Sequence, residues 1–202
     1  MGQVNRELGD APNRFDRRRE KTRVDLIQAA ERVISSKGYH QTRIADIATE
    51  ADVGLGTFYL HFKTKNEIFI ELIEHGAAEL RRELAEAKAG VHTPAEKLKI
   101  TIDTILDAAA EAPELFRIVF GHTAFLDLMV RVHEVFIDDL RDDLAPAVGE
   151  RADAIAHLTI GMLSQAISWL LASRDLSHAE LKNVTVNFAL GGLERAARLG
   201  AQ

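Results

Sequence analysis

The chain has 202 residues, 47% of them hydrophobic, and a formal net charge of −6, enough for one large domain or two modest ones with real cores. The absence of cysteine excludes disulfide staples and thiolate metal sites and suits a reducing cytoplasm. The charge is uneven: residues 1–65 hold 12 Lys and Arg against 9 Asp and Glu, and the remainder holds 13 against 22, so a polyanion-binding head on an acidic body is expected.

The first dozen residues are polar and contain Gly and Pro, the pattern of a disordered start. Asn13 to Arg23, "NRFDRRREKTR", supplies six basic residues and runs into an amphipathic helix carrying Leu26, Ile27, Ala30, Val33 and Ile34, with Gly38 as its stop. Thr42 is placed to cap a short helix, "RIADIATEA", whose Ile44, Ile47, Ala48 and Ala51 share a face. After "DVG" comes a second short helix, "LGTFYLHF", and then a longer one opening near "TKNE". Pro94 and Pro113 each mark a helix start. A long helix with Phe125, Met129, Val132, Phe136 and Leu140 ends near Pro146. Two more run from about residue 151 to 173 and 177 to 199. The expected fold is all-α, about nine helices, with the polyanion-binding head at 1–65 and a larger body at 66–202. Apolar runs such as "WLLA" fall short of the ~20 residues of a spanning helix, and no apolar leader opens the chain, so no membrane partner is expected.

The last two helices need more cover than one chain offers. Leu158, Met162, Ala166 and Trp169 lie on one side of the first, and Ile160, Leu163, Ile167 and Leu171 on another; such a helix must be covered nearly all round. The terminal helix is rich in small residues around Phe188, Gly192 and Ala196. A second copy across a two-fold axis is the simplest cover, so Ile160, Leu163, Ile167, Leu171, Phe188, Gly192 and Ala196 form the expected dimer interface, a fully enclosed core being the alternative.

Three readings compete for Asp52 to Lys65. A nucleotide loop fails, because Tyr59 stands where G-x-G-x-x-G needs its third glycine and no strand precedes. A purely packing hairpin accounts for Phe58 and Phe62, four apart, but not for Tyr59, His61, Lys63 and Lys65, which can all donate to phosphate. A helix-turn-helix accounts for both, with Leu55, Gly56 and Thr57 at the exposed start of a recognition helix.

The run "TRIADIATEADVGLGTFYLHFKTKNEIF" resembles the DNA-binding signature of the TetR family of transcriptional regulators, specifically over about Leu26 to Leu72. The resemblance implies an all-α homodimer with a small DNA-binding domain and a larger ligand-binding and dimerisation domain. It implies that Thr42 and Arg43 touch phosphate, that Leu55, Gly56, Thr57 and Leu60 face the groove of palindromic operator DNA, and that Tyr59, His61 and Lys65 hold phosphates. Two positions depart from the family: Asp52 stands where Gly is favoured in the turn, and Gly54 replaces the usual Ser or Thr cap.

Arg17, Arg18 and Arg19 cluster just before the first helix, as a solvated helix start or as a DNA-contacting arm. In the body, Phe116, Phe120, Phe125, Met129, His133, Met162 and Trp169 mix apolar and polar groups as a core would, or as a small-molecule pocket would. No H-E-x-x-H, G-x-S-x-G or cysteine nucleophile occurs, and His122, His133 and His157 are not spaced as ligands, so neither a metal, a cofactor nor an enzyme is expected. The composite expectation is a cytoplasmic homodimeric repressor released from its operator by a small, largely apolar effector. An all-α carrier or enzyme with a vestigial helix-turn-helix, and a ligand-independent DNA-binding protein, are the alternatives.

Overall fold

The computed structural model describes residues 13–121, 125–172 and 175–199, with Phe120 and Gly121 described in backbone only. Nine α-helices are present among them, and no strand: α1 (Arg14–Lys37), α2 (Ile44–Glu50), α3 (Leu55–His61), α4 (Lys65–Ala87), α5 (Pro94–Glu111), α6 (Pro113–Gly121), α7 (Leu126–Val148), α8 (Ala152–Ala172) and α9 (His178–Leu199). They divide into two compact units, Met1–Leu72 and Ile73–Gln202. The division falls inside α4, seven residues beyond the expected boundary at 65, because the start of α4 contributes Ile68, Phe69 and Leu72 to the first core.

Most helix ends follow local chemistry. Asn13 caps α1 by accepting from the backbone N–H of Phe15 and Asp16, so the basic segment is itself helical and α1 begins earlier than its apolar stripe. Gly38, at φ 77°, ends α1 as expected. Thr93 caps α5 ahead of Pro94, and Ser177 and Glu180 exchange bonds at the start of α9. Pro146 lies in the last turn of α7, which continues to Val148 before a 3-10 turn at Gly149–Arg151.

The first unit packs α1, α2, α3 and the start of α4 around Leu26, Ala30, Ile34, Ile47, Phe58, Phe62 and Phe69, all essentially inaccessible. Phe58 and Phe62 stand 5.8 Å apart in that core, the packing role their spacing indicated. The second unit is a bundle in which α8 packs on α5, α7 and α9, around Leu98, Ile102, Leu106, Leu140, Leu144, Ala156 and Leu163.

α8 bears on two expectations. A stretch within Leu126–Ala172 is, by length and mean hydropathy, apolar enough to cross a membrane, although no single apolar run in the sequence shows it. Here that stretch carries core residues: Ala156, Thr159, Ile160, Leu163 and Ile167 are buried. The same burial corrects the dimer assignment. Ile160, Leu163 and Ile167 belong to the protomer's own core, and Leu171 and Ala196 pack against it. The face left to solvent holds Leu158, Gly161 and Trp169 on α8, and Val184, Phe188, Gly191 and Gly192 on α9.

Candidate nucleic-acid interface

α2 ends in a tight turn that fixes the direction of α3. The N–H of Val53 bonds the carbonyl of Ala48 at 3.0 Å and the N–H of Asp52 bonds that of Thr49 at 3.1 Å, a Schellman closure. It requires a left-handed residue, and Asp52 adopts φ 53° there, the one positive-φ residue other than glycine among the described residues. Gly54 then caps α3 without a side-chain bond, its carbonyl accepting from Thr57 and Phe58.

With Phe58 buried inside, the outer side of α3 carries Leu55, Gly56, Tyr59 and Leu60, all exposed, and a half-buried Thr57. Leu60 is 74% exposed and adds to the exposed apolar surface of Leu55 and Tyr59 on the same short helix. Gly56 is equally telling. A Cβ built there meets nothing within 4 Å, so no packing inside the protein demands a glycine. A helical glycine costs about 0.5–1 kcal/mol relative to alanine, so its use here points to something approaching the backbone from outside.

The cationic residues divide into two sets. Arg17, Arg18 and Arg19 are exposed along the start of α1, and Arg43 is exposed at the start of α2. Arg23 has the opposite fate. Its guanidinium lies 4.6 Å over the Phe62 ring, donates to the His61 carbonyl at 3.2 Å and pairs with Glu71. The sequence held a sign of this, since Arg23 precedes Leu26, Ile27 and Ala30 by three, four and seven residues and so falls on the buried stripe of α1.

Two expected phosphate contacts are spent internally. Thr42 is 2% exposed, its hydroxyl donating to the Gly38 carbonyl at 2.8 Å and its N–H to the Tyr39 carbonyl at 3.3 Å. The cap of α2 is Arg43 instead, whose N–H is bound by the Asp46 carboxylate at 2.9 Å. That bond and the one from Lys37 hold the Asp46 carboxyl below its ordinary pKa. Lys65 donates to the carbonyls of Tyr39 and Thr42, and burial lowers its pKa. His61 is partly buried with its Nδ1 enclosed and lacking a hydrogen-bond partner. Burial, then the nearby Arg19 and Arg23, push its pKa down, leaving a neutral imidazole at pH 7.

The aromatic set of the second unit differs in burial. Phe125 is fully buried, Phe116, Met129 and Met162 are half-buried, and the side chain of Phe120 lies outside the described residues. Trp169 is 37% exposed, on the outer face of α8 with Leu158. His133 meets Ser164 across α7 and α8, Nε2 to Oγ 3.3 Å; the Ser164 hydroxyl is given to the Ile160 carbonyl, so it accepts from the imidazole. Burial lowers the His133 pKa.

Residues 26–72 match the family described as "Bacterial regulatory proteins, tetR family". A transcriptional activator of Mycolicibacterium smegmatis, FasR, is 22% identical over 184 residues, covering 87% of this chain and 84% of that protein. The fatty acid metabolism regulator protein of Bacillus subtilis is 37% identical over 79 residues, 39% of this chain and 41% of its own length. The structure of FadR from Bacillus subtilis in complex with stearoyl-CoA superposes with a TM-score of 0.71 at 21% identity, covering 84% of this chain and 98% of that one. The fold is thus shared along nearly the whole chain, while the specific sequence match lies over the helix-turn-helix. The part of the chain that carries the helix-turn-helix thus matches the tetR family of bacterial regulatory proteins, and the chain shares its fold with solved regulators.

Proposed function

We propose that this DNA-binding transcriptional regulator works as a homodimer that occupies a palindromic operator and leaves it when a small, largely apolar effector binds the second unit. The observation that carries the DNA reading is the outer side of α3. Exposed Leu55, Tyr59 and Leu60 flank a glycine that the protein's own packing does not require. Leu55 and Leu60 suit thymine methyls, Thr57 a base edge or phosphate, and Tyr59, Arg43 and the exposed arginines of α1 the phosphates.

The dimer reading is supported by the uncovered apolar face of α8 and α9. Phe188 is 75% exposed and Leu158 74%, and exposed glycines beside them allow close approach of a second copy. The effector reading rests on the structural relative holding stearoyl-CoA, which makes molecules with a long acyl chain the first candidates. A curated relative is named an activator, so repression is itself part of the proposal. A regulator of this kind acts in the cytoplasm, on the chromosome.

A gel-shift titration with the DNA flanking its own gene, repeated over a salt series, is the test. Tight sequence-specific binding is expected, with a slope that becomes shallower by about one for each arginine of Arg17–Arg19 that contacts phosphate and is replaced by Ala. Only weak, non-specific binding would favour a small-molecule carrier with a vestigial helix-turn-helix. Specific binding that no acyl-CoA, fatty acid or apolar metabolite releases would favour a ligand-independent regulator.

A further inference from the structure

A cleft of about 640 Å³ opens in the second unit between α4, α5 and α7, within the size range of small-molecule sites. Its floor is apolar: Leu84, Phe136 and Leu140 reach it from α4 and α7, each buried. Its wall holds a charge triad. Lys88 Nζ donates to Asp143 Oδ2 at 2.7 Å and Lys97 Nζ to Asp143 Oδ1 at 2.8 Å, with side chains only 12%, 27% and 14% exposed for Lys88, Lys97 and Asp143. Burial raises the Asp143 pKa, but the bonds from the two ammonium groups outweigh it, leaving the carboxyl ionised and below its ordinary value.

The charges around the cleft do not balance. Arg81 is matched by Asp139, which it holds at 2.6 and 2.8 Å, and the lining also holds one exposed cation, Arg82, and one exposed anion, Asp142. The triad itself keeps two cations against one anion. Each ammonium has three donors and gives one to Asp143, so both have donors to spare in a site sheltered enough for charge to matter. A second anion set between them would complete the arrangement, and an apolar body attached to it would lie on Leu84, Phe136 and Leu140.

We infer that this cleft binds an amphipathic monoanion, its carboxylate bridging Lys88 and Lys97 and its apolar chain lying on Leu84, Phe136 and Leu140. The inference names the site and class of the effector and so rests on the reading that the second unit takes one. It narrows "largely apolar" to a molecule with a negative head, at a cleft whose lining contains none of Phe116, Phe125, Met129, His133, Met162 and Trp169.

Calorimetric titration of the full-length protein without DNA, using decanoate and decanol as probes, tests it. The two share an apolar chain and differ in the charge of the head. Decanoate is expected to bind at least about tenfold more tightly, the scale of a charge-assisted hydrogen bond. Lys97→Met should remove that preference, while decanol binding stays unchanged. Asp143→Asn, which removes the anion the lysines already share, should strengthen decanoate binding severalfold. Equal binding of the two probes by the unaltered protein, no binding of either, or a preference that survives both Lys97→Met and Lys88→Met overturns the site. The gel shift keeps this separate from the functional proposal. Operator release by an effector that Lys97→Met does not weaken leaves the regulator reading standing and this site refuted. Decanoate binding through the lysines without operator release does the reverse.

Discussion

Lys65 Nζ lies 2.8 Å from the Tyr39 carbonyl and 4.2 Å over the centre of the Tyr39 ring, reaching back from the first turn of α4 to the connection between α1 and α2. A second bond, to the Thr42 carbonyl at 3.1 Å, places one ammonium at the loop from which α2 starts. Lys65→Met would leave two carbonyls without their donor. Stability measured by urea denaturation should fall by about 1–3 kcal/mol. The salt slope of operator binding should stay unchanged, since the cation's partners, the Tyr39 and Thr42 carbonyls, are inside the protein; a slope shallower by about one would return Lys65 to the phosphate contacts.

Gly56 separates folding from function. With open space around its Cβ position, Gly56→Ala is expected to stabilise the protein by about 0.5–1 kcal/mol, because alanine is the better helix former. Operator affinity should fall in the same variant, at unchanged salt slope, because the added methyl meets the DNA. A variant that is more stable and binds as well as the parent would remove Gly56 from the interface.

The turn between α2 and α3 carries strain at Asp52, whose φ of 53° suits glycine. Asp52→Gly relieves a left-handed cost of about 1–2 kcal/mol but gives back part of it as unfolded-chain entropy, so a net gain of about 0.5–1 kcal/mol is expected. Asp52→Val should lose about 1 kcal/mol or more, since a β-branched residue tolerates that conformation least. Thermal denaturation of the two variants should therefore move in opposite directions.

The outer face of α8 and α9 predicts a change of assembly without a change of fold. Leu158→Glu combined with Phe188→Glu should halve the mass seen by sedimentation while leaving the helical circular-dichroism signal intact. Leu163→Ala, in the protomer's own core, should instead cost about 2–5 kcal/mol of stability. A double glutamate variant that remains dimeric would place the interface elsewhere.

His133 and His61 give the stability a pH dependence of definite sign. Burial lowers both pKa values in the folded chain, so as pH falls through the ordinary histidine value of 6.5 the unfolded chain takes up protons that the folded chain resists. Stability should decline from about pH 7 toward pH 5.5 and level off once the folded histidines also titrate. Asp46, Asp107 and Asp143 have lowered values and act nearer pH 4 and below. His133→Gln should make the decline shallower without abolishing it, because His61 remains; an unchanged slope between pH 7 and 5.5 would show that His133 does not contribute.

Much of the first unit was legible because its signals are local. Gly38 as a stop, Phe58 and Phe62 as core, and Asp52 as the strained turn residue each follow from a residue and its neighbours within a few positions. The partners of Lys65 and Arg23 were not local in that sense, and Thr42 turned back on Gly38 rather than forward onto α2. A threonine before a helix reads as a cap and a lysine near a DNA-binding helix reads as a phosphate contact. Which backbone carbonyls Lys65 and Arg23 meet depends on how distant helices come together, over sequence separations of 23 to 38 residues.

The sequence by itself determined the all-helical fold, the order of the helices and the helix-turn-helix, since these rest on periodicity, capping and a short specific motif. It also determined that α8 and α9 carry more apolar surface than one stripe needs. Only the tertiary structure decided which side of α8 goes inward. A helix apolar nearly all round has no single stripe to name its face, so the choice falls to the packing of α5, α7 and α9, which takes Ile160, Leu163 and Ile167 and leaves Leu158 and Trp169 outside.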